Sequence, residues 1–341
     1  MLDPRAAIEA GAPLLLGSSI KKELDLDWSD PEQKRGAIVT LAEQLDALET
    51  WVEKNLPSAT TEPPLADLLA TLRQLRDQDL EPDPSGGGPR IRRGVAPNRR
   101  VSVEDPDMRH GRKSKSKRFN GYKRHLAADL DTDLILACAV TPANRPEEQA
   151  ASELQADVTA LSLERSTQEF HIDRGYINSP VVGTLADNHG EVVCRPWVPH
   201  NDHLFTKRDF TINMRDRTIT CPAGNTERFT TGSVVEFEPR KCARCALRLL
   251  CTTAAEGSGR TVNIAEDEQL QHRLRKLTAS PAGRARLRER VGIEHRLAHI
   301  ARKQGRRARY RGLRSNLFDL RRCATVLNLE TIHRREAALA A

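Results

Sequence analysis

The chain has 341 residues, 38% hydrophobic and 30% charged, with a formal net charge of +7 and a pI near 9.2. That length admits two domains or one core with insertions, on the polar side of average composition. No run approaches the roughly 18–20 apolar residues that span a bilayer, Met1-Leu2-Asp3-Pro4 lacks the regions of an export signal, and seven cysteines, an odd number, argue against a disulfide framework. A cytoplasmic protein with no membrane partner is expected. The charge is uneven: residues 20–85 lean acidic, while 86–125 and 284–314 are dense in Arg and Lys. Two separate basic tracts favour a nucleic-acid partner over a diffuse solubility effect.

Residues 33–55 carry Leu41, Leu45, Leu48 and Trp51 at helical spacing, and residues 64–77 repeat the pattern with Leu65, Leu68, Leu69, Leu72 and Leu75. With the proline-bounded break between them, this predicts a helical hairpin within residues 1–81. The Pro- and Gly-rich stretch at 82–89 reads as a flexible linker, continuing as a basic linker to residue 120. A strand pair then follows, 121–130 with 134–141 across Asp131-Thr132-Asp133, and the run from Ile135 to Val140 is apolar enough for a central strand. A helix at 147–162 leads to a strand ending at Asp173. This order is α/β, with an acid at a strand's carboxyl end, where ligands of open α/β sheets collect. Residues 121–190 form the first part of this core. Residues 191–262 read as a separate β insertion with four cysteines, and 263–341 return to helix, with Leu317, Leu320, Ala324, Leu327 and Leu329 at helical spacing.

Asp173 closes Phe170-His171-Ile172-Asp173, and Glu294 follows Arg290 by four residues in what reads as one long Arg-rich helix. A carboxylate at a strand end and another on a helix can hold divalent metal between them for phosphoryl transfer, and oxygen ligands suit Mg²⁺ or Mn²⁺. Taken singly, Asp173 would cap a turn and Glu294 would be a surface acid. Arg290 shares the helical face of Glu294, where it orients that carboxylate or holds a phosphate. Cys221, the Cys242-Ala243-Arg244-Cys245 pair and Cys251 supply four thiolates, the number tetrahedral Zn²⁺ takes; the alternative is buried thiols in a small β subdomain. Cys138, Cys194 and Cys323 lie in apolar contexts and read as core. Lys113, Lys115, Lys117 and Lys123, together with Arg302, Lys303, Arg306, Arg307, Arg309, Arg311 and Arg314, form the phosphate-contacting set. Aromatic content of 4% argues against a stacking platform for single strands. His295 and His299 share a helical face without an evident third ligand, and His171 shares the strand face of Asp173; none is assigned chemistry.

Several runs resemble the DDE transposases of bacterial insertion sequences, in that family's order from about residue 100 to 330: Gly121-Tyr122-Lys123-Arg124-His125, Val140-Thr141-Pro142-Ala143-Asn144, His171-Ile172-Asp173-Arg174-Gly175-Tyr176, Glu294, and 309–317. The resemblance implies an RNase H-like mixed sheet flanked by helices, with the helical hairpin and the cysteine-rich segment as insertions. It also implies a homodimeric enzyme whose partner is double-stranded DNA, cut at terminal inverted repeats and joined through the freed 3′-hydroxyl to target DNA. Asp173 and Glu294 match the second and third acids. Of the Tyr-Arg-Glu-Lys signature around the last acid, Arg290 and Glu294 are present, Leu287 stands for the Tyr and Ala301 for the Lys. The first acid, which the family places before Ser or Gly and then Thr, has no counterpart; Asp105, before Pro106, is the internal substitute. The expectation is a transposase truncated at its N-terminus. The alternatives are a DNA-binding remnant without activity, or a metal-dependent nuclease on the same core.

Overall fold

The computed structural model describes residues 4–17, 19–114, 116–163, 167–187, 190–305 and 307–341. Its contacts divide the chain into two units: Met1–Lys123, Thr141–Arg145 and Ala308–Asn316 form one, and Arg124–Val140, Pro146–Arg307 and Leu317–Ala341 the other.

In the first unit, short helices α1 (Pro4–Glu9) and α2 (Ile20–Glu23) precede α3 (Pro31–Asn55) and α4 (Leu65–Asp79). α3 starts where the Asp30 carboxylate accepts from the Glu32 and Gln33 amides, with Pro31 in the first helical position, where no amide donor is needed. Arg73 of α4 pairs with Glu49 and Glu53 of α3, and Arg76 with Asp46 and Glu49, so ion pairs link the two helices. The segment read as a flexible linker contains a hairpin instead. β1 (Leu80–Pro82) pairs antiparallel with β2 (Pro89–Ile91), and residues between them form its tip. Asp83 N–H donates to the Gly88 carbonyl (3.0 Å), and Arg35 of α3 reaches both Asp83 (2.9 Å) and Ser85 (2.8 Å). Gly86 and Gly88 sit at φ of 80° and 91°, so the glycines that suggested flexibility serve a tight turn. The buried Gln78 amide then fixes Arg100, accepting from its N–H and donating to its carbonyl, both at 2.8 Å.

β3 (Arg109–Arg112) pairs antiparallel with the start of β4 (Arg118–Ala128), and β5 (Ile135–Pro142) completes a sheet of order β3-β4-β5. β4 and β5 each pass from one unit to the other. Their connection is the predicted Asp131-Thr132-Asp133 turn: the Asp129 carboxylate accepts from Thr132 N–H (2.9 Å), and Asp133 adopts φ of 59°. Ile135, Ala137, Cys138, Ala139 and Val140 are all buried, as their apolar run predicts.

In the second unit, α5 (Ala151–Ala160), β6 (Glu169–His171), α6 (Pro180–Asp187) and β7 (Glu191–Val193) follow, with β6 parallel to β7. β7 opens the stretch whose composition marked an insertion, yet it pairs with the core strand. Ile177, Val182, Val192, Cys194 and Leu274 bury together behind this pair. The strands expected as one mixed sheet are thus an antiparallel trio and a parallel pair, and the fold is α/β.

The insertion builds its own core. β8 (Thr211–Asn213), β9 (Thr218–Thr220) and β10 (Thr226–Arg228) form a sheet of order β10-β9-β8, and β11 (Ser233–Glu236) pairs with β12 (Thr261–Ile264). Phe210, Ile219, Phe229, Val235, Phe237, Val262 and Ile264 fill it. Short helices α7 (Pro239–Ala243) and α8 (Arg248–Cys251) carry Cys242 and Cys251, with Cys245 in the segment between them. Glu268, the first residue of α9 (Glu268–Ala279), is fully buried and paired with Lys207 of the insertion and Arg275 of its own helix.

The Arg-rich helix is two helices, α10 (Pro281–Glu289) and α11 (Val291–Gln304), which meet at Arg290. Gly292, a poor helix former, marks the break in the sequence. α12 (Leu313–Ala340) buries Leu320, Cys323, Ala324 and Leu327. From its middle, Asn328 accepts from Ile135 N–H and donates to the Ile135 carbonyl, both at 2.8 Å. Among the described residues no helix is long and apolar enough to cross a membrane.

Candidate active site

Asp173 stands two residues beyond β6, at the start of a 3₁₀ turn over Arg174–Tyr176. Its Oδ1 accepts from Arg174 N–H at 2.8 Å, so it does cap a turn, and its Oδ2 lies 3.4 Å from Arg290 Nη1. The other terminal nitrogen, Arg290 Nη2, donates to Glu294 Oε1 at 3.0 Å. One guanidinium therefore spans the strand-end acid and the helix acid. The i,i+4 relation of Arg290 and Glu294 survives the helix break because Arg290 directly precedes α11. The Asp173 and Glu294 side chains are 59% and 57% exposed and Arg290 27%, so both acids open to solvent around a more enclosed cation.

The turn that carries Asp173 is pinned from below. Tyr176 N–H donates to the Asp173 carbonyl (3.0 Å), and the Tyr176 hydroxyl shares a 2.5 Å hydrogen bond with Nδ1 of the buried His125 on β4. The two rings meet edge to face at 6.0 Å. Burial, then the nearby Glu147 and Asp173 charges, raise the Tyr176 pKa, so this hydroxyl stays protonated. Arg174 lies over the Trp197 ring at 5.7 Å, a cation–π contact. Arg286 of α10 bridges Glu169 (2.9 Å) and Glu191 (2.8 Å), tying β6 to β7. Its bonds to Glu191 and Glu169 raise its pKa, and in return the Arg286 bond is the largest influence holding the Glu169 carboxyl below its usual range. His171 Nε2 lies 3.0 Å from Glu169 and 3.7 Å from Glu289. Sequence reasoning assigned no role to His125, Tyr176 or Arg286. The first two lie inside motifs already singled out, but only the fold shows that they meet.

Asp105 sits in the first unit and is 2% exposed. Its Oδ2 accepts from the Tyr122 hydroxyl (2.5 Å) and Gly312 N–H (3.3 Å), and its Oδ1 from Asp107 N–H (3.1 Å). Asp107 in turn accepts from Leu313 N–H (3.0 Å), so the two acids face the N-terminus of α12, where negative charge is stabilising.

Cys221, Cys242, Cys245 and Cys251 line one pocket with Phe205, Phe237 and Arg260, all as free thiols. Burial raises the Cys251 pKa most; Arg260 opposes it and the other three thiols add to it. Even so, among the described residues no group of three or more His, Cys, Asp or Glu is placed to hold a metal ion, in this pocket or around Asp173. Cys138, Cys194 and Cys323 are buried, as their contexts predicted. Burial, then the Asp157 charge, pushes the Cys138 thiol up to about 12; burial, then Asp173, pushes Cys194 up to about 11. Native protein treated with iodoacetamide at about pH 8 is therefore expected to label Cys221, Cys242 and Cys245 on the order of a hundredfold faster than Cys138 or Cys194, since the thiolate is the nucleophile. Peptide mass spectrometry over a time course reads this directly, and equal rates at Cys194 would refute it.

The basic residues divide between the units. Lys113, Lys117, Lys123, Arg309, Arg311 and Arg314 belong to the first, and Arg302, Lys303 and Arg307 to the second. Lys115 and Arg306 lie outside the described residues. Lys113, Lys117, Arg302, Arg307, Arg309, Arg311 and Arg314 are exposed. Lys123 donates to the Arg145 carbonyl, Lys303 pairs with Glu330, and Arg311 pairs with Glu104.

No curated protein and no solved structure was found to match the chain. A family model, the transposase DDE domain, matches residues 95–329, which include Asp105, Asp173, Arg290, Glu294 and the four pocket cysteines. With a strand-end acid and a helix acid drawn to one arginine inside an α/β core, and with more than half of its length matched, the chain belongs to the DDE transposase family, whose members act on DNA.

Proposed function

We propose that this chain cuts DNA at the ends of a mobile element and joins the freed 3′-hydroxyl to a target duplex, with Asp173 and Glu294 holding a divalent cation. The observation that carries the reading is the shared guanidinium, which draws the two acids of separate elements to one positive group. Two exposed carboxylates arranged in this way offer the hard oxygen donors that Mg²⁺ and Mn²⁺ take. A cation bound there stabilises charge on the attacking and leaving oxygens of an in-line displacement. The protein's own part is to orient. The Tyr176–His125 bond fixes the turn bearing Asp173, α11 fixes Glu294, and exposed basic residues such as Arg302, Arg307, Arg309 and Arg314 position the phosphates.

The test is cleavage of a plasmid carrying the sequences that flank the coding frame, with Mg²⁺ or Mn²⁺. Cation-dependent nicking is expected, lowered on the order of a hundredfold or more by Asp173→Asn and by Glu294→Gln, the scale on which loss of a charge-stabilising group acts. A second reading, DNA binding without cleavage, has its own support: the engaged carboxylate of Asp105 and the lack of a three-ligand group among the described residues. It predicts salt-sensitive duplex binding with no nicking by the unaltered chain.

We propose that Cys221, Cys242, Cys245 and Cys251, which line one pocket of a small subdomain without standing as a ligand group there, draw together on a structural zinc ion. The alkylation experiment tests this when repeated with added zinc. Protection of Cys221, Cys242, Cys245 and Cys251 together supports it, and unchanged labelling removes it.

A further inference from the structure

We infer that the Arg290 guanidinium occupies the place between Asp173 and Glu294 that a divalent cation would take, and holds metal off until a DNA phosphate draws the arginine away. This rests on the reading of those two acids as metal ligands. Each terminal nitrogen of Arg290 faces a different acid, at 3.4 Å and 3.0 Å, so one planar cation already offsets both carboxylates. The two other guanidiniums near the turn are engaged elsewhere: Arg286 by Glu169 and Glu191, and Arg174 over Trp197. Arg290 is thus the cation that a metal ion must displace or tolerate.

Tolerance is costly. A divalent ion a few ångströms from a fixed positive charge is repelled, by on the order of tenfold in affinity even where solvent screens the pair. Displacement needs a better partner for the arginine, and a phosphate diester provides one, since guanidinium binds phosphate oxygens through paired, charge-assisted hydrogen bonds. The position of Arg290 suits such an exchange. It lies at the joint between α10 and α11, where its side chain caps neither helix, so it can leave the acids without breaking a helix terminus. DNA and metal would then favour each other's binding by the same factor, as linkage requires. The acids would stay unloaded, and water attack on stray substrates suppressed, until a duplex is seated.

The experiment is a Mn²⁺ titration of the full chain, followed by water-proton relaxation, on the unaltered protein, Arg290→Gln, Arg290→Lys and Asp173→Asn, each with and without a short DNA duplex. Asp173→Asn identifies the signal that belongs to this site. Arg290→Gln is expected to bind Mn²⁺ on the order of tenfold more tightly than the unaltered protein. Arg290→Lys, which keeps the charge, should stay close to it. Duplex should tighten Mn²⁺ binding to the unaltered protein and leave Arg290→Gln little changed. If Asp173-dependent binding exists but Arg290→Gln is no tighter, or duplex acts equally on both, the inference is overturned while the metal-ligand reading stands. If no protein shows Asp173-dependent binding, both fall.

Discussion

Glu268→Ala is expected to lower the unfolding free energy by about 3–5 kcal/mol, because it strips two partly buried cations of the fully buried carboxylate that balances them. Glu268 has no exposed surface; one carboxylate oxygen pairs with Lys207 and the other with Arg275 at 2.6 Å. Lys207 belongs to the β insertion and Arg275 to the helix that follows it, so the pair of bonds fixes where the insertion ends and the helical part begins. Burial pushes the Glu268 carboxyl up, but hydrogen bonds and charge from Lys207 and Arg275 outweigh it and leave the pKa below the ordinary 4.5. A depressed acid contributes stability above its unfolded value and loses it as pH falls through the folded one. Urea unfolding should therefore show the unaltered protein and Glu268→Gln separated at neutral pH and converging below about pH 4.5. A deficit under about 1 kcal/mol for Glu268→Ala at neutral pH, the scale of a surface pair, would refute this account.

Asp105→Ala should cost about 2–4 kcal/mol, since it leaves the Tyr122 hydroxyl proton and the Asp107 amide without their acceptor, while the Gly312 amide keeps only the Tyr122 oxygen. The Tyr122 hydroxyl pKa is raised, by burial first and then by its bond to Asp105, so the phenol remains a donor throughout the physiological range. The same position separates two roles. If Asp105 serves α12, Asp105→Asn lowers stability moderately and leaves Asp173-dependent Mn²⁺ binding unchanged. A tenfold or greater loss of Mn²⁺ binding with stability intact would instead make Asp105 the missing ligand.

The elements legible in the sequence were those whose signal is local. The leucine spacing of 33–77, the apolar run of β5 and the three-residue turn before it appear where their patterns place them. So does the pairing of Arg290 with Glu294, which needs only one turn of helix. What the sequence withheld depends on partners far along the chain. The 82–89 segment has the composition of a linker, and the Arg35 contacts that hold its hairpin cannot be read from proline and glycine content. Asp105 reads as a turn acid, which its bond to the Asp107 amide supports, but Tyr122 and Gly312 give it a buried setting that no spacing announces. The reach of Arg290 to Asp173 is of the same kind: the residues were singled out separately, and tertiary packing supplies the link.

The Asn328 side chain has a consequence for how the protein behaves in a crowded solution. β5 is the last strand of its sheet and the most apolar one, a combination that invites pairing with strands from other molecules. The Asn328 amide satisfies the N–H and carbonyl of Ile135 as a neighbouring strand would, and Asp157, itself held by Arg321 of the same helix, takes the Cys138 N–H. The C-terminal helix thus acts as a false strand that ends the sheet, and its side-chain amide occupies the backbone groups through which this apolar edge would pair with another molecule.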